Sequence, residues 1–288
     1  MADDEAGRFR PFAGPDPQAG LTRGQLRASG YEHLARGVYR AAGGPALTHG
    51  GRIAVVRAAL VRPVVLGGLS AAWALGAELA TADDPVVVVA VPPTPDPRPR
   101  EGLVVRRCAL RREEVVRTAL GWATTPVRTA ADLLLLEPRV RAVATADAVL
   151  RAGGLPPSAV AAALAGRRGA RGVAGARGLA PLLDPRAESP RESELRLLLH
   201  DAGLPAPEVQ LEVRDGDGDF VARLDLGWTA PRVGLEYDGA THRERARHSR
   251  DLARHNRLRA LGWVVLQVDA AALARPAALL AQLRGLLA

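Results

Sequence analysis

Residues Gly234 to Arg243 read GLEYDGATHR. An apolar run that begins at Val233 meets Glu236, Asp238 and His242, with a turn signal at Gly239. Successive side chains of a strand point to opposite faces. Val233, Leu235 and Tyr237 therefore share one face, and Gly234, Glu236 and Asp238 share the other. An unpaired charge in so apolar a strand is costly, so the acidic face is expected to look at a cation.

The neighbouring segments extend this reading. FVARLDLGW (220–228) alternates and puts Arg223 and Asp225 on one face, while PEVQLEV (207–213) alternates before it. DGDGD (215–219) is the turn of a hairpin between them. It is not a calcium loop, because Phe220 and Leu226 stand where such a loop needs glycine and glutamate. If the second and third strands pair, Asp225 and Glu236 lie side by side. Opposed carboxylates repel, and a hard divalent ion such as Mg²⁺ or Mn²⁺ relieves the repulsion. Beside a phosphodiester such an ion polarises a phosphoryl oxygen and supplies a hydroxide nucleophile.

Around these strands the pattern predicts a helix over 191–202, a long polar helix from RERARHSRDLARHNRLRALG, a strand WVVLQVD, and a closing helix interrupted at Pro276. The order is α-β-β-β-α-β-α. Arg243, Arg247, Arg250 and Arg254 form a stripe next to the carboxylates, which reads either as a phosphate-contacting face or as a solvated one. Asp251 and Arg254, three apart, read as a helix-surface ion pair or as support for the site.

Residues 191–287 resemble the uncharacterised bacterial domain family related to very-short-patch-repair endonucleases, within the PD-(D/E)xK nuclease superfamily. The motifs are ESELR with Glu192, ARLDL with Asp225, LEYDGATHR with Glu236, Asp238, Gly239 and His242, and DLARHNRLRALGW with Asp251, Arg254, Leu258, Gly262 and Trp263. The resemblance implies a restriction-endonuclease-like core and a metal-dependent DNA endonuclease. Asp225 and Glu236, assisted by Glu192, would hold Mg²⁺ or Mn²⁺, and Asp238 or His242 would help proton transfer. The superfamily lysine falls at Asp238, and the chain contains no lysine, so its charge is left to an arginine or to His242. The alternative is a non-catalytic DNA-binding regulator on a degenerate nuclease fold.

The first part of the chain has a second resemblance. LTRGQLRASG, LARGVYR, VLGGLSAAWALG, VVVVAVPP and TTPVRTAADLL are similar to the antitoxins of type IV, abortive-infection toxin–antitoxin systems. This implies a winged-helix start, truncated here, a following α/β domain, DNA as a partner and a cognate toxin. PVVVVAVPP reads as a strand buried on both faces, and TTPVRTAADLLLL as a helix capped by Thr129 with Asp132 at its third position. Ala-rich helices are expected near 140–151 and 157–164, and the Gly/Arg-rich run 166–178 reads as a flexible connector.

Composition bounds these readings. The 288 residues carry a formal charge of +8, which favours polyanions. A single isoleucine, a single asparagine and the missing lysine also point to GC-rich codons as a source of the arginine excess. The lone Cys108 excludes an internal disulfide and thiolate metal sites, as expected in a reducing cytoplasm. The N-terminus lacks the apolar run of a signal peptide, and PVVLGGLSAAWALGA is too short to span a membrane. The expected fold class is mixed α/β: a tail over 1–19, a mainly helical antitoxin-like domain with a small sheet over 20–182, a linker over 183–190, and the endonuclease-like domain over 191–288.

Overall fold

The computed structural model describes residues 11–13, 23–26, 30–35, 37–60, 64–90, 101–238 and 245–288, and for Phe12, Arg23 and residues 245–251 the backbone alone. The fold is mixed α/β, with three sheets among these residues. The first holds β1 (Phe12–Ala13), β3 (Val38–Ala41) and β2 (Tyr31–Ala35), so two residues of the expected tail pair with Tyr39 and Val38. Of the helical reader expected before this hairpin, α1 (Arg23–Leu26) is described.

The second sheet is larger than the small one expected. Its order is β6 (Leu103–Arg107), β5 (Val86–Ala90), β4 (Val65–Leu66), β8 (Gly121–Thr124) and β7 (Val115–Thr118). Strand β5 is buried at every position, as its unbroken valines require. One face packs Leu66, Val86, Val88, Leu103 and Ala123 against Ile53 of α2 (His49–Ala59) and Ala71 of α3 (Gly68–Ala74).

Helix α4 (Pro126–Leu136) begins earlier than the Thr129 cap expected from sequence. Proline at the first helical position is pre-set for the helix and loses nothing by lacking its N–H. Thr129 is buried instead, its hydroxyl 2.6 Å from Thr124 Oγ1. Asp132 then lies in mid-helix, where Arg128 and Arg167 donate to it at 2.9 and 2.6 Å. Helices α5 (Arg139–Gly153) and α6 (Pro157–Ala165) match their expected spans within about two residues. The Gly/Arg-rich run, expected as a flexible connector, contains α7 (Val173–Leu179), with Ala176 buried and Arg177 donating to the carbonyls of Leu164 and Ala165.

Residues 183–190 lead into α8 (Pro190–Asp201) under close control. Asp147, in the middle of α5 and 1% exposed, accepts from the Asp184 amide, Ser193 Oγ and Arg196 Nη2, each at 2.7 Å. Leu197 of α8 enters the helical core with Ala130, Leu150 and Leu164, whereas Leu195 and Leu199 enter the core of the third sheet. The first helix of the C-terminal half is thus shared between two cores.

The third sheet has the order β12 (Val264–Val268), β11 (Val233–Tyr237), β10 (Phe220–Trp228) and β9 (Glu208–Arg214). Helix α9 (Arg245–Ala260) lies between β11 and β12 in sequence, and these two strands run parallel. The closing helix is broken at Pro276 into α10 (Ala270–Ala274) and α11 (Ala277–Leu287). The expected element order is therefore found. Asp215 accepts the amides of Asp217 and Asp219, which makes DGDGD a self-capped turn. Among the described residues no single helix is long and apolar enough to cross a membrane.

Candidate functional site

The β9–β10 hairpin has a register shift between Phe220 and Ala222, and its pleat inverts again further along. Leu211 and Leu224 pack with Leu258 and Trp263 on the α9 side of the sheet. Val209 and Leu226, each two residues away and paired with one another, pack instead with Leu195, Leu235 and Leu283 on the opposite side. Between them stand Gln210, held at φ +57°, and Asp225. A left-handed conformation at a residue other than glycine is uncommon and marks a locally imposed geometry.

The β10–β11 ladder runs from Trp228 and Val233 to Leu226 and Leu235, and ends where Asp225 would face Glu236. Asp225 Oδ2 instead accepts the backbone N–H of Tyr237 at 2.8 Å. Burial pushes the Asp225 carboxyl up to about 6, and the nearby charges of Glu192, Glu236 and Glu188 push the same way against the Tyr237 hydrogen bond. Asp225 and Glu236 follow directly after the last pair of the ladder, and Glu192 is among the charges that act on Asp225.

The other two carboxylates have partners within the fold. Glu192 sits in the first turn of α8, after the Ser189 cap, and is 5% exposed. Its Oε2 accepts the Glu188 amide and Gln210 Nε2, both at 2.8 Å. Glu236 is gripped by Arg254 of α9 through both terminal nitrogens, one on each oxygen, and Gln267 Nε2 donates to it at 2.8 Å. His255 Nε2 stands 3.8 Å from the same carboxylate. Gly234 and Gly227 keep the α9 side open for leucines: a Cβ at either would lie 2.5 Å from Leu224 or Leu211.

The described carboxylates are not gathered as a metal centre. Among the described residues no group of three His, Cys, Asp or Glu side chains is gathered closely enough to hold a metal. Glu236 already has a cation on both oxygens, and Glu192 is turned to Gln210 and its own helix entry. Asp238 is exposed at the end of β11, with its amide bonded to Val268 O at 2.8 Å. His242 and Arg243 lie outside the described residues, as do the side chains of Arg247, Arg250 and Asp251 on the α9 backbone. Arg254, expected as a phosphate contact, is instead engaged with Glu236.

Sequence reading missed the two glutamines. Gln267 is the direct register partner of Glu236 on β12, and Gln210 donates to Glu192 from the point where the pleat inverts. The signal for Gln267 was there: a lone amide inside the apolar run WVVLQV, on the same face as Glu236 once the strands are set parallel. The Arg223–Glu188 pair at 2.9 Å closes the outer edge of the site.

The chain matches no family model. It is similar to two proteins of Mycobacterium tuberculosis, the uncharacterized protein MT2308 of strain CDC 1551 / Oshkosh and the uncharacterized protein Rv2248 of strain ATCC 25618 / H37Rv, each 39% identical over 172 residues. The matched stretch is 59% of this chain and spans only 62% of the length of either relative. Among solved structures, the RV2827C protein from Mycobacterium tuberculosis overlaps with a TM-score of 0.39 and 19% identity, over 74% of this chain and 80% of that one.

Proposed function

We propose that the chain binds DNA along the α9 side of its C-terminal sheet, on a nuclease-type core whose acid site is closed by its own arginine. One observation carries this reading: Arg254 joins the basic helix to the acidic strand by its double contact with Glu236. The carboxylate is neutralised within the fold and needs no metal. Helix α9 is also arginine-rich in sequence, and of the arginines beyond Arg254 whose side chains are described Arg257 pairs with Asp215 while Arg259 is exposed, in a chain of net charge +8. A basic helix binds phosphates by releasing counterions, with little regard to sequence. A regulator of the antitoxin kind, with a toxin as partner, is compatible with binding of this sort.

The test is anisotropy of a labelled DNA duplex in EDTA and in Mn²⁺ over a salt series. Equal affinity in both, falling steeply with salt, supports the reading. Arg254→Gln, which leaves the Glu236 carboxylate unneutralised on that face, should weaken binding. Binding that requires the divalent ion overturns it.

A second reading, a metal-dependent DNA endonuclease using Asp225, Glu236 and Glu192, is favoured by Asp225 alone. Its carboxyl is half-buried among three acids with one amide to offset them. Calorimetric titration of Mn²⁺ decides it. Heat that disappears in Asp225→Ala/Glu236→Ala, together with DNA cleavage lost in Glu236→Ala, establishes the endonuclease; no heat in either protein removes it.

A further inference from the structure

The second sheet carries a feature that neither reading uses. Trp122 on β8 is paired with Arg117 across the β7–β8 hairpin and with Val65 across β4. Their neighbours Ala123 and Leu66 face the core against α2, so Trp122, Arg117 and Val65 face the other way. The chain has four tryptophans. Trp228 and Trp263 are buried, Trp73 is half-buried against His49, and Trp122 is 42% exposed.

The surroundings of Trp122 are cationic. The Arg117 guanidinium lies over its ring, 5.5 Å from the centroid. Arg57 of α2 reaches the same hairpin from the other face, with its Nε 3.0 Å from where a Cβ on Gly121 would lie. Among the described residues neither arginine has an ion pair. The sequence contains no Asp or Glu between Glu114 and Asp132. An exposed aromatic ring beside an uncompensated guanidinium group is the chemistry that takes an unpaired base by stacking and its phosphate by charge. A protein partner would need a wider apolar patch, and Val65 beside Trp122 is already half-buried.

We propose that the β7–β8 hairpin is a single-stranded DNA contact, with Trp122 stacking on an unpaired base and Arg117 holding the adjacent phosphate. The site is independent of the C-terminal face.

The experiment follows tryptophan fluorescence of the whole chain during titration with a twelve-residue oligo-dT, an abasic twelve-mer of equal charge, and oligo-rU. Saturable quenching is expected with oligo-dT and not with the abasic strand. Trp122→Leu should lower oligo-dT affinity, read by anisotropy, roughly tenfold, while Trp122→Phe retains most of it. Arg117→Gln should reduce affinity and the salt slope together. Arg254→Gln, which tests the other face, should leave the quenching unchanged. Equal binding of the abasic strand, an unaltered Trp122→Leu variant, or quenching by oligo-rU alone overturns the assignment.

Discussion

Asp147 and Asp225 are two carboxyls that burial pushes up to about 6, yet their surroundings are opposite. Asp147 has three donors, one of them a guanidinium, from three places in the chain. Asp225 has one backbone amide and three carboxylates for company. The first is a structural knot that ties α5 to α8 and to the residues before it. The second is held by a single hydrogen bond and left beside like charges.

Breaking the knot should have the largest effect. Asp147→Ala strands Arg196 and Ser193 in a buried position, and removing one partner of a buried pair typically costs about 3–5 kcal/mol. Urea unfolding should show that loss, and a value under about 1 kcal/mol would mean the two regions do not differ as described. The Glu236–Arg254 contact should come next. A double-mutant cycle with Glu236→Gln and Arg254→Gln is expected to return a coupling of about 1–2 kcal/mol, since the pair is only partly buried. A coupling near zero would free Glu236 for other partners.

Asp225→Asn should be the mildest and of opposite sign. A carboxyl raised to about 6 in the fold, from about 3.9 in the unfolded chain, binds its proton more tightly when folded. Its contribution to stability is complete below about 3.9 and is lost as pH rises through about 6. Asp225→Asn should therefore leave stability unchanged near pH 3.5 and raise it slightly at pH 8, by less than about 1 kcal/mol after solvent screening. The fall in stability between those pH values should shrink but persist, because Asp147 follows the same direction. A loss on making Asp225→Asn at pH 8 would place Asp225 with Asp147 as a structural group.

The C-terminal half was legible because its signals agree. Gly203 follows α8 at φ +68°, DGDGD turns the hairpin, and the sequences of the hairpin strands alternate. The first half offered less. Strand β4 is two residues inside an apolar run, and the β7–β8 hairpin turns through Ala119 and Leu120 without an Asn-Gly or Asp-Gly pair. Two threonines compete to cap α4, and Pro126 decides between them. In the site, Asp225 and Glu236 could be placed on their strands, but the grip of Arg254 depends on how α9 crosses the sheet, a tertiary fact with no local pattern. Asp147 had a readable signal, an acid three residues from Leu150 and four from Val143 on the apolar side of an Ala-rich helix.

The inversion at Gln210 and Asp225 bears on how the hairpin finds its alignment. In a regularly pleated pair, sliding one strand by two residues restores the alternation, so such misalignments compete during folding. Here Leu211 must end opposite Leu224 and Val209 opposite Leu226, with the change of side falling between them on both strands. A two-residue slide would put the two changes of side out of step and leave a leucine on the wrong side of the sheet. Only one alignment seats all four, so the strands themselves proofread their pairing.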